Sequence, residues 1–428
     1  MPVGASCLML VIAVLVANVL KHVLAGLVKL TVSAARPRKD YSLQPSVSIL
    51  LPCYNEGKTV YDTVESISRS NYPNHKFEII AIDDYSTDDS YQWFLKSQED
   101  FTNIRIRVSR NPQNQGKART VCNALKQSEA EIVLSIDSDC IFHPEAIREL
   151  VACFVDPKIG AVGGAVGVRN VNDNIVTAIQ TFVYYTNFRL MKVLENWTRS
   201  VICISGCMFA VRRDLFLNLE PKVRGRRWLG IEVNDGEDRF LTHQILLAGY
   251  GTVLNSSAQC WTTVPNTLPG LFKQQIRWQR SGVRDFLLTL QTLPQHVWTQ
   301  HPNTIYNLVI PTLAAMSSVV VMLILMFPYS FFLFSVAPGL FLLYGAGAAT
   351  FDALVRKHNP EQAVTSPLRL AAFAVWIVAG RLIEIIAMLT LDSRDWGTRA
   401  KAVALQESAQ EESPSQALEL DVATAAGD

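Results

Sequence analysis

The stretch Ile132-Val133-Leu134-Ser135-Ile136-Asp137-Ser138-Asp139-Cys140 carries a short apolar run straight into two carboxylates. Its length and β-branched content fit a buried strand. Two further stretches have the same form: Val47-Ser48-Ile49-Leu50-Leu51 leads into Pro52-Cys53-Tyr54-Asn55-Glu56, and Phe77-Glu78-Ile79-Ile80-Ala81-Ile82 leads into Asp83-Asp84-Tyr85-Ser86. Helical patterns alternate with such runs between about Pro45 and Pro265. The fold class expected is therefore α/β, with these three runs as buried parallel strands. In an open α/β sheet ligands bind beyond the carboxyl ends of the strands, which is where these carboxylates fall.

Each strand end has a chemical reading and a structural one. Alternation along an extended chain would point Asp137 and Asp139 to one side, where hard oxygens can hold Mg²⁺ or Mn²⁺ against a diphosphate; acidic triplets are also common in loops. Adjacent Asp83 and Asp84 repel unless a ligand or hydrogen bonds compensate them. One of them can accept from an N–H such as the uracil imide while Tyr54 lies against a base, or the pair can cap the following helix through an Asx-type turn. Lys117, in Gln115-Gly116-Lys117-Ala118-Arg119, can meet a phosphate where Gly116 lets the backbone approach, or be a solvated surface lysine. Gly236-Glu237-Asp238-Arg239 opens a helical pattern through Leu247. Its carboxylates either favour the positive helix end or provide, in Asp238, a general base.

Around this domain the chain is too apolar for an ordinary soluble protein: of 428 residues, 49% are hydrophobic and 18% charged. A retained membrane anchor is expected from Ala5 to Leu30, followed by Arg36, Arg38 and Lys39, which put the next domain on the cytoplasmic side. A basic amphipathic stretch, Leu271 to Leu290 with Lys273, Arg277, Arg280 and Arg284, suits a helix on the membrane surface. Ile305 to Phe327 and Phe331 to Phe351 are candidate spans, and Leu370 to Leu391, with Arg381 and Glu384, reads as interfacial or partly inserted. The resulting layout is anchor and linker 1–44, catalytic domain 45–267, interfacial helices 268–304, membrane helices 305–400 and a disordered tail 401–428. A net charge of +1 excludes a general nucleic-acid binder. The eight cysteines are scattered and read as buried reduced thiols, with Cys203 and Cys207 able to share a helical face.

Gln274-Gln275-Ile276-Arg277-Trp278 adds a Q-x-x-R-W motif, and with the acidic motifs in this order the chain resembles processive family 2 glycosyltransferases, the hyaluronan, chitin and cellulose synthases. With Ser281 and Trp396-Gly397-Thr398-Arg399 it looks most like the hyaluronan and chitin branch, including fungal hyaluronan-synthase-like type 2 members. The resemblance covers about residues 45 to 400 and implies a GT-A domain inserted between transmembrane helices, facing the cytosol at the plasma membrane. It implies an inverting transfer from a UDP-sugar to a growing polysaccharide, with Asp238 as base and Asp139 as the metal ligand for Mg²⁺ or Mn²⁺. Tyr54, Asp83, Asp84 and Lys117 would contact the nucleotide, and Asp137, Glu237, Arg239, Gln274, Arg277 and Trp278 would complete substrate binding. The N-terminal region holds about one clear spanning helix, fewer than the long synthases have, so a complete channel would call for another subunit, a homo-oligomer being one form. The rivals are a transferase acting on a lipid carrier of the dolichyl-phosphate type, and a non-catalytic membrane scaffold or transporter.

Overall fold

The computed structural model describes residues 37–185, 188, 191–233, 235–299, 376, 380 and 383–392. The expected anchor, the two spans at 305–351, the segment 396–399 and the tail lie outside the described residues. No helix among the described residues is long and apolar enough to cross a membrane.

The three quoted runs are strands β1 (Val47–Cys53), β2 (Phe77–Asp83) and β4 (Ile132–Ile136). With β3 (Arg105–Arg110) they form the parallel half of an eight-stranded sheet. The other half comprises β5 (Cys140–Phe142), β6 (Ile159–Val168), β7 (Met208–Arg212) and β10 (Gly251–Thr262), and the full order is β3-β2-β1-β4-β7-β6-β10-β5. β7 runs antiparallel between β4 and β6, so the sheet is mixed where the motifs alone announced only parallel strands. A two-stranded hairpin, β8 (Arg227–Trp228) with β9 (Ile231–Glu232), stands apart.

Both faces of the sheet are covered. Side chains alternate along a strand: Ile49 and Leu51 join one apolar cluster with Val60, Val64 and Ile67 of helix α1 (Thr59–Ser68) and Phe94 of α2 (Ser90–Asp100). Leu50, Ile80 and Ile82 face the other way, onto α3 (Lys117–Gln127). That near-continuous hydrophobicity is what a strand buried on both faces requires. α4 (Ala146–Val151), α5 (Ile175–Tyr185), α6 (Met191–Trp197), α7 (Arg213–Arg224) and α8 (Glu237–Leu247) follow, and the 32-residue α9 (Leu268–Thr299) carries Q-x-x-R-W. Leu271 of α9 packs with Val176, Ile179 and Phe182 of α5 and with Trp376 and Ile383, so part of the C-terminal segment docks on the domain. Arg284, expected on a basic outer face, is instead 3% exposed, because Asp235 and the Leu391 carbonyl supply acceptors in the interior.

Candidate active site

Lys117 is the hub. It opens α3 behind Gly116, whose φ of +85° is a conformation glycine adopts without strain. Its side chain is 16% exposed, and Nζ lies 2.6 Å from Asp137 Oδ1 and 2.8 Å from Glu237 Oε1. A loop before α3, the end of β4 and the start of α8, far apart in sequence, are thus joined by one ammonium. Burial opposes its charge, but Asp137, Glu237 and Asp238 outweigh that and hold Lys117 well above the usual lysine range. The solvated-lysine reading is therefore replaced by a half-buried ion pair.

Asp238 sits beside this hub. Oδ2 accepts the Gly206 N–H at 2.7 Å and Oδ1 accepts the Arg239 N–H at 2.7 Å, while Thr242 Oγ1 donates to the Asp238 carbonyl at 2.6 Å. Burial and then the Glu237 carboxylate raise the Asp238 carboxyl above its ordinary range. A carboxylate raised in this way is a better proton acceptor than a solvated one. Gly206 is packed so closely that a Cβ there would lie 3.0 Å from Lys117 Nζ and 3.2 Å from Asp238 Oδ2. Arg239 turns elsewhere: its Nε is 3.9 Å from Asp285 Oδ2 on α9. Successive helical residues diverge by about 100°, so Asp238 and Arg239 face different neighbours.

Asp137 and Asp139 lie in the turn between β4 and β5, not on an extended chain, so strand alternation is not what orients them. The Asp137 N–H donates to the Cys207 carbonyl at 3.3 Å. Burial would raise the Asp137 carboxyl, but Lys117, with Arg277 contributing, brings it below the usual range. Asp139 goes the other way, raised by burial and then by Asp137, while Thr262 Oγ1 donates to its Oδ2 at 3.0 Å. Glu56 faces the same pair and is pushed up to about 8 by burial, then Asp139, Asp137 and Asp88. The mutual repulsion that raises Asp139 and Glu56 is a field a divalent cation would relieve, and the oxygens of these carboxylates are hard donors suited to Mg²⁺ or Mn²⁺. No set of three His, Cys, Asp or Glu side chains among the described residues could hold a metal. The donor set fits an ion whose remaining ligands come from a diphosphate and water.

At the ends of β1 and β2 the two aspartates differ. Asp84 Oδ1 accepts Asn111 Nδ2 at 2.8 Å and the Gln115 N–H at 2.8 Å, and Oδ2 accepts the Gly116 N–H at 2.7 Å, so Asp84 fixes the loop leading to Lys117. Asp83 Oδ2 meets Arg110 Nε at 2.8 Å and the Ser86 N–H at 3.1 Å, the turn-type bond foreseen for this segment, but its buried Oδ1 has no partner. Tyr54 is half-buried at the end of β1. On α9, Trp278 lies against the core with Tyr184 and Phe188, at ring-centroid distances of 5.6 Å and 6.3 Å, and Gln274 is partly buried one turn earlier.

The family described as Glycosyltransferase like family 2 matches residues 45–281, from Pro45 to Ser281. The chain belongs to this family. The glycosyltransferase is 27% identical to a hyaluronan synthase of Streptococcus pyogenes over 370 residues, 83% of each chain. It is 30% identical to an N-acetylglucosaminyltransferase of Mesorhizobium japonicum over 251 residues, 58% of each chain. A mannosyltransferase from Pyrobaculum calidifontis, solved with GDP-Man and Mn²⁺, superposes with a TM-score of 0.55 at 21% identity, over 86% of this chain and 99% of that one. The mixed sheet is thus that of a GT-A-like α/β glycosyltransferase.

Several residues of the glycosyltransferase site escaped the sequence reading. Glu56 stood in a quoted strand end with no signal that it faces the D-x-D turn. Gly206 had a weak signal, as a glycine just before a strand, and Thr262 had none. Cys203 and Cys207 precede β7 outside any helix, so they share no helical face; Cys53, Cys122, Cys140, Cys153 and Cys260 are buried free thiols as expected.

Proposed function

We propose that this glycosyltransferase is a membrane-bound, inverting, processive enzyme that transfers a sugar from a UDP-sugar to a growing cell-surface or cell-wall polysaccharide. The observation that carries this reading is the Lys117 bridge, which brings the D-x-D turn and the Glu237-Asp238 helix start to one point. Asp238 takes the proton of the acceptor hydroxyl as its oxygen attacks the anomeric carbon. The bond from that carbon to the diphosphate breaks on the opposite face, and the electron pair leaves with UDP. The Gly206 N–H steadies Asp238 Oδ2 during this transfer. Lys117 and Arg277, both acting on Asp137, provide cationic groups for the diphosphate. Mg²⁺ or Mn²⁺ held by Asp139, with Asp137 beside it, would offset the charge that develops on the departing diphosphate.

The unpartnered Asp83 Oδ1 suits it to accept the base imide N–H with Tyr54 against the ring, while Asp84, already bonded three times, acts by shaping the Gly116-Lys117 approach. Trp278, backed by Tyr184 and Phe188, offers an aromatic face for an acceptor sugar, with Gln274 one turn earlier on the same helix. Leu268 at 53%, Phe272 at 36%, Leu290 at 39% and Leu389 at 79% exposure lie on α9 and the segment docked to it, which favours a domain seated on lipid at the cytosolic face of the plasma membrane, between the expected membrane helices. A second copy of the chain would supply the further helices a polymer channel calls for. The similarity to a hyaluronan synthase over 370 residues supports polymer synthesis over transfer to a lipid carrier. Membranes containing the protein, supplied in turn with UDP-GlcNAc, UDP-GlcA, UDP-Glc and UDP-Gal, should yield a long polymer from one donor or one pair; a single sugar on lipid from every donor would overturn the polymer reading.

A further inference from the structure

The turn that delivers Asp238 is bolted to the helix that carries Gln274, Arg277 and Trp278. Arg284 Nη1 donates to Asp235 Oδ1 at 2.6 Å. Arg226 Nη1 donates to the carbonyls of Asp235 at 2.7 Å and Gly236 at 2.9 Å, and its Nη2 donates to Asp285 Oδ1 at 3.0 Å. These three side chains belong to the interior: Arg226, Arg284 and Asp285 are 8%, 3% and 5% exposed. The Arg226 guanidinium also lies 4.8 Å from the centroid of the Phe240 ring, in the first turn of α8. Arg284 makes a second connection, donating from Nε and Nη2 to the Leu391 carbonyl at 3.2 Å and 2.8 Å. One residue therefore joins the turn, α9 and the docked C-terminal segment.

The turn has little freedom left. Gly236 has φ +71°, and a Cβ on it would lie 1.8 Å from Ser281 Oγ, so the backbone presses directly on α9. A buried ionic network gains little net stability over apolar packing of the same volume. What it specifies is a geometry, because a bidentate guanidinium fixes its acceptors in both distance and plane. Proton abstraction by Asp238 needs placement to a fraction of an ångström, and an error of 1 Å can cost about a hundredfold in rate.

We propose that Arg226, Arg284 and Asp285 are positioning residues that hold the Asp235-Gly236 turn, and with it Asp238, in register with the acceptor-facing side of α9. This inference rests on Asp238 being the base. Asp285→Asn keeps shape and removes the charge that orients Arg226. It should lower kcat about ten- to a hundredfold, with UDP affinity and donor KM changed less than about twofold and melting still cooperative. Arg226→Lys keeps the charge but not the fork, and should retain at least about threefold more kcat than Arg226→Gln. If Asp285→Asn fails to fold, this Lys-against-Gln comparison decides. Unchanged kcat in Asp285→Asn, equal kcat in the two Arg226 variants, or UDP affinity falling in step with kcat would each overturn the proposal. Asp238→Asn measured in parallel separates the two readings: transfer surviving there removes the base itself, whereas its loss beside a fully active Asp285→Asn removes only the clamp.

Discussion

Lys117→Met removes the hub charge while keeping a side chain of similar length. Deleting one partner of a buried ion pair costs about 3–5 kcal/mol, because the other charge stays desolvated. Here the paired side chains are 14% to 29% exposed, so water reaches them in part. A loss of about 2–3 kcal/mol is the resulting figure. For a domain of this size each kcal/mol moves Tm by about 2–4 °C, so the midpoint should fall by about 4–12 °C. The sign with pH follows from Asp137, which Lys117 holds below the usual carboxylate range. A depressed carboxylate contributes stability above its unfolded pKa and loses it as pH falls through the folded one, so the wild-type pair is intact at both about pH 5 and about pH 8. Without the ammonium, Asp137 loses the cation that holds it down and Asp238 loses one that limits its rise, so both must take up protons, which is harder at higher pH. The variant's deficit should therefore be larger at about pH 8 than at about pH 5. Thermal unfolding of the detergent-solubilised full chain, followed by tryptophan fluorescence, reads both quantities. A deficit under about 0.5 kcal/mol at both pH values would refute a buried, charge-coupled Lys117.

Gly236→Ala should destabilise by at least about 2 kcal/mol, since the site combines a left-handed backbone with steric overlap at Ser281, and a wild-type denaturant midpoint would contradict this. Chelation of divalent ions should abolish transfer, added Mn²⁺ or Mg²⁺ should restore it, and Asp139→Asn should raise the metal concentration needed; transfer that persists through chelation opposes the assignment of Asp139. Asp285 is raised from 3.8 to about 6 by burial, which its arginine neighbours only partly offset. A raised carboxylate stabilises the fold below its unfolded pKa and that contribution is lost as pH rises through the folded one, so stability should decline from about pH 4 to about pH 6, and Asp285→Asn should flatten that decline.

The strand ends were legible because a buried parallel strand needs an unbroken apolar run, and such a run stopping at acidic residues has little other explanation: β1, β2 and β4 lie where Val47, Phe77 and Ile132 open their stretches. The antiparallel β7 was not legible, since Met208–Arg212 is short and its partners are set by tertiary packing. The motifs Asp137-Ser138-Asp139, Gly236-Glu237-Asp238-Arg239 and Gln274 to Trp278 marked the site, but not its connections. That Lys117 is paired with two carboxylates, that Asp84 accepts three hydrogen bonds while Asp83 keeps a bare oxygen, and that Arg284 turns inward all depend on partners distant in sequence. Local pattern fixes which face a residue lies on; it carries no information on which distant group meets it there.

Asp238→Asn, measured for both transfer and UDP binding in the same membranes, bears most directly on the chemistry. The amide keeps the Gly206 N–H within reach of an oxygen but cannot take a proton at neutral pH. Polymer formation should fall by at least about a thousandfold while UDP affinity stays within about twofold. Polymer output equal to that of the unsubstituted protein would contradict Asp238 as the base.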